Sequence, residues 1–197
     1  MINHRRISFC GAQGTGKTTL FEAVKNDEMF KGWNFYSEVV RQMLEREEVV
    51  INENGNSESQ KKIFDAYNEI LDKMFDNPSV SDRCIVDVRS EDVAAYTSRL
   101  FDTCNPKDED YNKLSNEDFR ERKEVVRRKY ELSLIVYFPI EFPLVEDGVR
   151  SVDEQFQKDV DMKIQQFLKN YDIPYITITG SVEERLEQLK KVIFSEK

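Results

Sequence analysis

The chain has 197 residues, enough for one domain with a sizeable core. A 39% hydrophobic and 34% charged composition fits a charge-rich globular protein, and no apolar run approaches the roughly 20 residues that cross a bilayer. The formal charge of −9 disfavours broad contact with nucleic-acid backbones or anionic lipid, so any phosphate site has to be a local positive island.

Near the start, Ile7 and Phe9 alternate with Ser8 and Cys10, which predicts a short strand. A glycine-rich turn follows, then a helix over about 17–24. Phe35 and Tyr36 suggest a second strand, and Val39, Val40, Met43 and Leu44 fall at helical spacing behind it. Residues 57–60, SESQ, read as a capping box. The apolar face of Ile63, Phe64, Tyr67, Ile70, Leu71, Met74 and Phe75 predicts a long helix, stopped at Asn77 and Pro78. SVSDRCIVDV holds a third strand, and a helix is expected over roughly 91–101. The polar stretch 105–118 reads as an exposed acidic loop inserted between elements, followed by a basic helix over 119–130. LSLIVYF, 132–138, is the clearest buried strand. A second capping box is expected at 151–154, with a helix carrying Val152, Phe156, Val160, Ile164 and Phe167. The last strand covers 175–178, and Gly180 and Ser181 turn into a final helix. Strands alternating with helices predict an α/β fold with a mostly parallel five-stranded sheet covered on both faces.

Three cysteines, Cys10, Cys84 and Cys104, form no CxxC pair, which argues for reduced thiols rather than a disulfide framework or a zinc site. His4 is the sole histidine and lies in the N-terminal arm, so histidine-based catalysis has little support. The opening MINHRRISF lacks the apolar core of a signal peptide, and a cytoplasmic location is expected.

GAQGTGKT, residues 11–18, meets the pattern G-x-x-x-x-G-K-[ST] between a strand and a helix. Glycines at Gly11, Gly14 and Gly16 let the backbone wrap a phosphate, with Ala12, Gln13, Thr15 and Thr19 completing the stretch. Main-chain N–H groups of the loop and helix start then face the anion. Lys17 would reach the β- and γ-phosphates and Thr18 would offer its hydroxyl to Mg2+, which points to ATP with Mg2+. The NKxD and DxxG signatures of guanine-specific switches are absent, as is the hydrophobic strand ending in DE of the AAA+ machines. Asp82 and Arg83 are read at the end of the third strand, facing the cradle, where Asp82 would orient Mg2+ or the nucleophile and Arg83 an acceptor group. Asp87 competes for the same acidic role if the strand runs later.

GAQGTGKTT, SEVVRQML, SDRCIVDV followed by AAYT, LIVYFPIEFPLVEDGVRS and ITITGSVEERL occur in this order. In this the chain resembles small AAA-like P-loop proteins similar to the nicotinamide riboside kinase domain of NadR-type proteins, and more distantly thymidylate and deoxynucleoside kinases. It departs from that pattern around RSEDV and in the 105–118 stretch. The resemblance implies a P-loop NTPase fold of three α/β/α layers, nucleotide-kinase-like, in a single domain over 1–197 with a lid segment at 141–152. It implies that Glu38 and Arg41, one helical turn apart, face the acceptor. It implies that Arg150 closes over the triphosphate, that Asp147 positions Arg150 or a water, and that Gly180 lies in the turn that cups adenine. The expected activity is phosphoryl transfer from ATP to a small nucleoside, nucleotide or nicotinamide riboside-like acceptor by a monomer or homodimer. A nucleotide-binding regulatory ATPase acting on a protein partner, and a polynucleotide end kinase, are the alternatives. The basic run of Arg120, Arg122, Lys123, Arg127, Arg128 and Lys129 is interleaved with Glu121, Glu124 and Glu131 and reads as a solvated, ion-paired helix face.

Overall fold

A computed structural model describes residues 6–37, 39–46, 49–76, 83–87, 90–129, 131, 134–145 and 152–194. In chain order the elements are β1 (Arg6–Cys10), α1 (Lys17–Lys25), β2 (Asn34–Tyr36), α2 (Val39–Glu45), α3 (Ser57–Asp76) and β3 (Cys84–Val86). They continue with α4 (Ser90–Thr103), α5 (Tyr111–Arg128), β4 (Leu134–Tyr137), α6 (Glu154–Asn170), β5 (Ile176–Thr177) and α7 (Val182–Phe194). The strands form one parallel sheet in the order β2-β3-β1-β4-β5. None of the described helices is long and apolar enough to cross a membrane.

Strand alternation sorts the core into two faces. Ile7 and Phe9 of β1 and Leu134 and Val136 of β4 pack with Leu20, Phe21 and Val24 of α1 and Leu189 of α7. Cys10 of β1 and Ile135 and Tyr137 of β4 face the other way, onto Phe64 and Tyr67 of α3, Val93 and Ala94 of α4, Val125 of α5 and Phe156, Val160 and Ile164 of α6. The result is the expected α/β/α arrangement, with β1 central and its carboxyl end feeding the glycine turn.

Both expected capping boxes shift by a residue or more. Asn56 caps α3, its Oδ1 accepting the Ser59 N–H at 2.9 Å, because Ser57 is occupied elsewhere: its N–H donates to Asp110 at 2.8 Å. Asp153 caps α6, accepting the N–H groups of Gln155 and Phe156. A reciprocal box does form at α7, where Ser181 N donates to Glu184 Oε2 at 2.7 Å and Glu184 N donates to Ser181 Oγ at 3.3 Å.

The 105–118 stretch is exposed loop only over 105–109, and its second half is helix. A short turn leads into α5 at Tyr111, and Leu114 and Asp118 are buried. The helix expected over 119–130 thus starts earlier, and hydrophobic periodicity missed its first turns because polar pairs take much of the place of apolar contacts on its inner face. Ser98 of α4 donates to Asp118, and Arg122 bonds both Asp118 and Ser98. The arginines that follow are ion-paired as expected, Arg120 with Asp65 and Glu117, and Arg128 with Asp72, Glu124 and Glu131.

Glu121 lies fully buried on the same helix, and burial pushes its carboxyl up to about 8, against the opposing pulls of Thr97 and Arg120. Its proton therefore stays in the fold while an unfolded chain, with a value near 4.5, gives it up. The stabilising contribution is complete below about pH 4.5 and is lost as pH rises to about 8, at up to ~1.4 kcal/mol per pH unit. Glu121→Gln should flatten the fall in urea midpoint between pH 5 and 8 and raise stability at the upper end. An unchanged pH profile would place the Glu121 titration elsewhere.

Candidate functional site

β1 and β3 are neighbours, yet the chain leaves β1 toward β2 and leaves β3 toward β4 on the far side of β1. Ligands in open parallel sheets bind beyond the carboxyl ends of strands at such a reversal. Here the glycine turn hangs on the end of β1 and Asp87 directly follows β3.

The turn needs its glycines. Gly11 has φ +154°, and a Cβ there would stand 2.7 Å from the Phe138 carbonyl oxygen. Gly16, at φ +86°, is the cap that starts α1 in a left-handed conformation. The first amides of α1 have no partners within the helix, so they remain donors at its positive end. The loop is also braced from outside. Thr15 Oγ1 donates to the Ala12 carbonyl at 2.9 Å. Gln13 donates its N–H to the Tyr96 hydroxyl at 3.1 Å and accepts that hydroxyl on Oε1 at 2.7 Å. Gln157 of α6 donates to the Gln13 carbonyl at 2.7 Å. Lys17 folds its ammonium onto the carbonyls of Gly11 and Ala12, at 2.5 and 2.7 Å.

Two carboxylates meet this loop. Asp87 is 7% exposed and its Oδ2 accepts the Thr18 hydroxyl at 3.2 Å. Asp92, in the first turn of α4, accepts the Cys10 thiol at 2.9 Å and the Gly11 N–H at 3.1 Å on one oxygen; its other oxygen is buried with no hydrogen-bond partner among the described residues. Burial pushes the Asp92 carboxyl up to about 6, although Lys17, Cys10 and Gly11 all pull it down. Tyr67 of α3 is buried near both acids, and burial together with their charge raises its phenol. A hard divalent cation fits beside Thr18 and Asp87, which supply a hydroxyl and a carboxylate in the proportion usual for Mg2+ completed by phosphate and water.

The sequence-predicted residues divide accordingly. Gly11, Ala12, Gln13, Gly14, Thr15, Gly16, Lys17 and Thr18 come together in the turn, while Thr19 is exposed on α1. Gly180 sits in the turn before α7, where its N–H donates to Glu141. The placement of Arg83 is corrected. β3 begins at Cys84, and the Arg83 carbonyl accepts the Asn34 N–H at the strand's amino end, so Arg83 is exposed at the end of the sheet away from the turn. The strand runs later than its polar start suggested, and the acid at its carboxyl end is Asp87. Asp82, Glu38, Asp147, Arg150 and His4 lie outside the described residues, as does the side chain of Arg41. Residues 141–145 of the expected lid are an open connection, and 146–151 lie outside the described residues. Sequence reasoning missed Asp92, Tyr96, Gln157 and Arg185, which brace the turn. Only the helical spacing of Asp92 and Tyr96 hinted that these two share a face.

A family model for the AAA domain, AAA_28, matches residues 6–185. The chain belongs to this AAA-domain family. No curated protein matches it. Among solved structures, this AAA domain is similar to NadR protein in complex with NAD and AMP-PNP, with TM-score 0.70 and 11% identity over 98% of this chain and 51% of that one. NadR protein in complex with NR gives 0.67 at 12% identity, over 98% and 52%. Deoxyadenosine kinase from M. mycoides with bound dATP gives 0.66 at 17% identity, over 98% of this chain and all of that one. The chain thus spans about half the length of the NadR structures and has a P-loop nucleoside-kinase-like fold.

Removing the Tyr96 hydroxyl leaves both polar atoms of Gln13 that it served without that partner. Tyr96→Phe should cost the domain roughly 1–3 kcal/mol and speed hydrogen exchange at the Gln13 amide. Exchange at wild-type rate would show that the turn holds itself.

Proposed function

We propose that this AAA domain is a kinase that transfers the γ-phosphoryl group of Mg2+·ATP to a hydroxyl of a small nucleoside-like acceptor. The observation that carries the reading is the Thr18–Asp87 contact beside the glycine turn, at the carboxyl ends of two adjacent parallel strands. On this reading Lys17 leaves the Gly11 and Ala12 carbonyls for the β- and γ-phosphates, while the amides at the start of α1 receive phosphate oxygens. Thr18 and Asp87 would hold Mg2+, which would neutralise charge on the triphosphate. The acceptor approaches from the side of α3 and α4. There the described groups nearest the turn are the phenols Tyr67 and Tyr96 and the acids Asp87 and Asp92. Carboxylates and phenols both bond sugar hydroxyls, and the carboxylates repel a phosphate, which favours a nucleoside over a nucleotide.

The acceptor oxygen bonds the γ-phosphorus as the bond to the β,γ-bridging oxygen breaks, and ADP leaves. In a loose transition state the hydroxyl proton departs late, to an oxygen of the transferred phosphoryl group, so Asp87 needs to orient the hydroxyl or the metal rather than act as a strong base. Glu38 and Arg41 are assigned to the acceptor and Arg150 to the charge developing on the transferring group, from the family pattern. Asp92 keeps the Gly11 N–H turned away from the phosphates.

Incubation with γ-labelled ATP and a panel of nucleosides and nucleotides tests this. Label should pass to a nucleoside, and Lys17→Ala and Asp87→Asn should each lower transfer about 100-fold or more while circular dichroism stays native. Label released only as inorganic phosphate, with no stimulation by any acceptor, would favour a nucleotide-driven regulator. Undiminished transfer by Lys17→Ala would remove the mechanism.

A further inference from the structure

Arg185 lies in the first turn of α7, where a cation opposes the helix dipole, and yet it is only 1% exposed. A buried guanidinium is costly unless closely partnered. Its partners lie off the helix. Nη1 donates to the Thr15 carbonyl at 2.7 Å, and Nη2 donates to Glu141 Oε2 at 2.5 Å. Its guanidinium carbon stands 5.3 and 5.0 Å from the ring centroids of Phe138 and Phe142. Glu141 also accepts the Gly180 N–H at 3.1 Å. One cation therefore ties the glycine turn to the segment after β4 and to the turn before α7. The fit is close, since a Cβ on Gly16 would stand 2.8 Å from Nη1.

A peptide unit is planar and trans, so its carbonyl and N–H point in opposite directions. Holding the Thr15 oxygen toward α7 turns the Gly16 N–H to the other side. We propose that Arg185 is a positioning residue for triphosphate binding: through the Thr15 carbonyl it aims the Gly16 N–H at the phosphates, with Glu141 setting the guanidinium. This inference rests on the ATP reading above. Lysine offers a point charge without the planar fork, so it cannot make both contacts in the same geometry.

Calorimetric titration of Mg2+·ATP into wild type, Arg185→Lys and Glu141→Gln tests it, at a temperature where circular dichroism shows the proteins folded. Affinity should fall at least 10-fold in R185K and several-fold in E141Q, and free guanidinium ion should restore part of the affinity of R185A. If R185K or R185A fails to fold, E141Q decides. Wild-type affinity in the folded variants overturns the inference and leaves ATP binding by the protein intact. Affinity lost only in step with native circular dichroism, with no guanidinium rescue, assigns Arg185 to the fold and overturns the inference equally. A wild-type protein that takes no ATP defeats the functional reading itself, and this inference with it.

Discussion

The site depends on one constraint: a backbone turn of six residues, 11–16, has to keep its shape with little core of its own. Side chains from the surrounding helices supply that shape. Asp92 and Tyr96 of α4 take the N–H groups of Gly11 and Gln13, Gln157 of α6 takes the Gln13 carbonyl, and Arg185 of α7 takes that of Thr15. Each buried polar group so satisfied removes a reason for the loop to relax. The first amides of α1 have no acceptor within the helix, and they gather at its positive end.

Charge is organised around the same point. The molecule carries −9 overall, and many of its arginines are spent on carboxylates within the α3–α4–α5–α6 layer or under the turn. Lys17 is held on neutral carbonyls, Asp87 bonds its neighbour Thr18, and Asp92 is close enough to feel the ammonium's charge. Moving its ammonium to a polyphosphate exchanges two carbonyl contacts for charge-assisted ones, which are stronger. On the proposed reading, an acidic body with Lys17 at a helix start suits a ligand that brings its own high negative charge and its own metal.

Much of the layout was legible in sequence because it follows from periodicity and one local motif. The alternation of Ile7 and Phe9, the apolar run before Phe138 and the eight-residue motif placed β1, β4 and the turn. Periodicity failed where polar pairs replace apolar contacts. Asp118, Arg122 and Ser98 hide the first turns of α5 from a hydrophobicity reading, and Asp110 draws Ser57 away from a capping role. The end of β3 was read too early because its three buried residues, Cys84, Ile85 and Val86, are too few to fix a boundary, so Asp82 was preferred and Asp87 stood only as its competitor. The braces Gln157 and Arg185 lie 144 and 170 residues from the atoms they hold, and no local pattern encodes a contact at that distance.

The most direct test of the account is a map of backbone amide resonances as Mg2+·AMP-PNP is added. The largest shifts should fall on amides 14–18, with Gly11 and Gln13 moving less because their N–H groups already serve Asp92 and Tyr96. Shifts confined to other surfaces, or none at saturating nucleotide, would contradict the claim that this turn is an anion receptor.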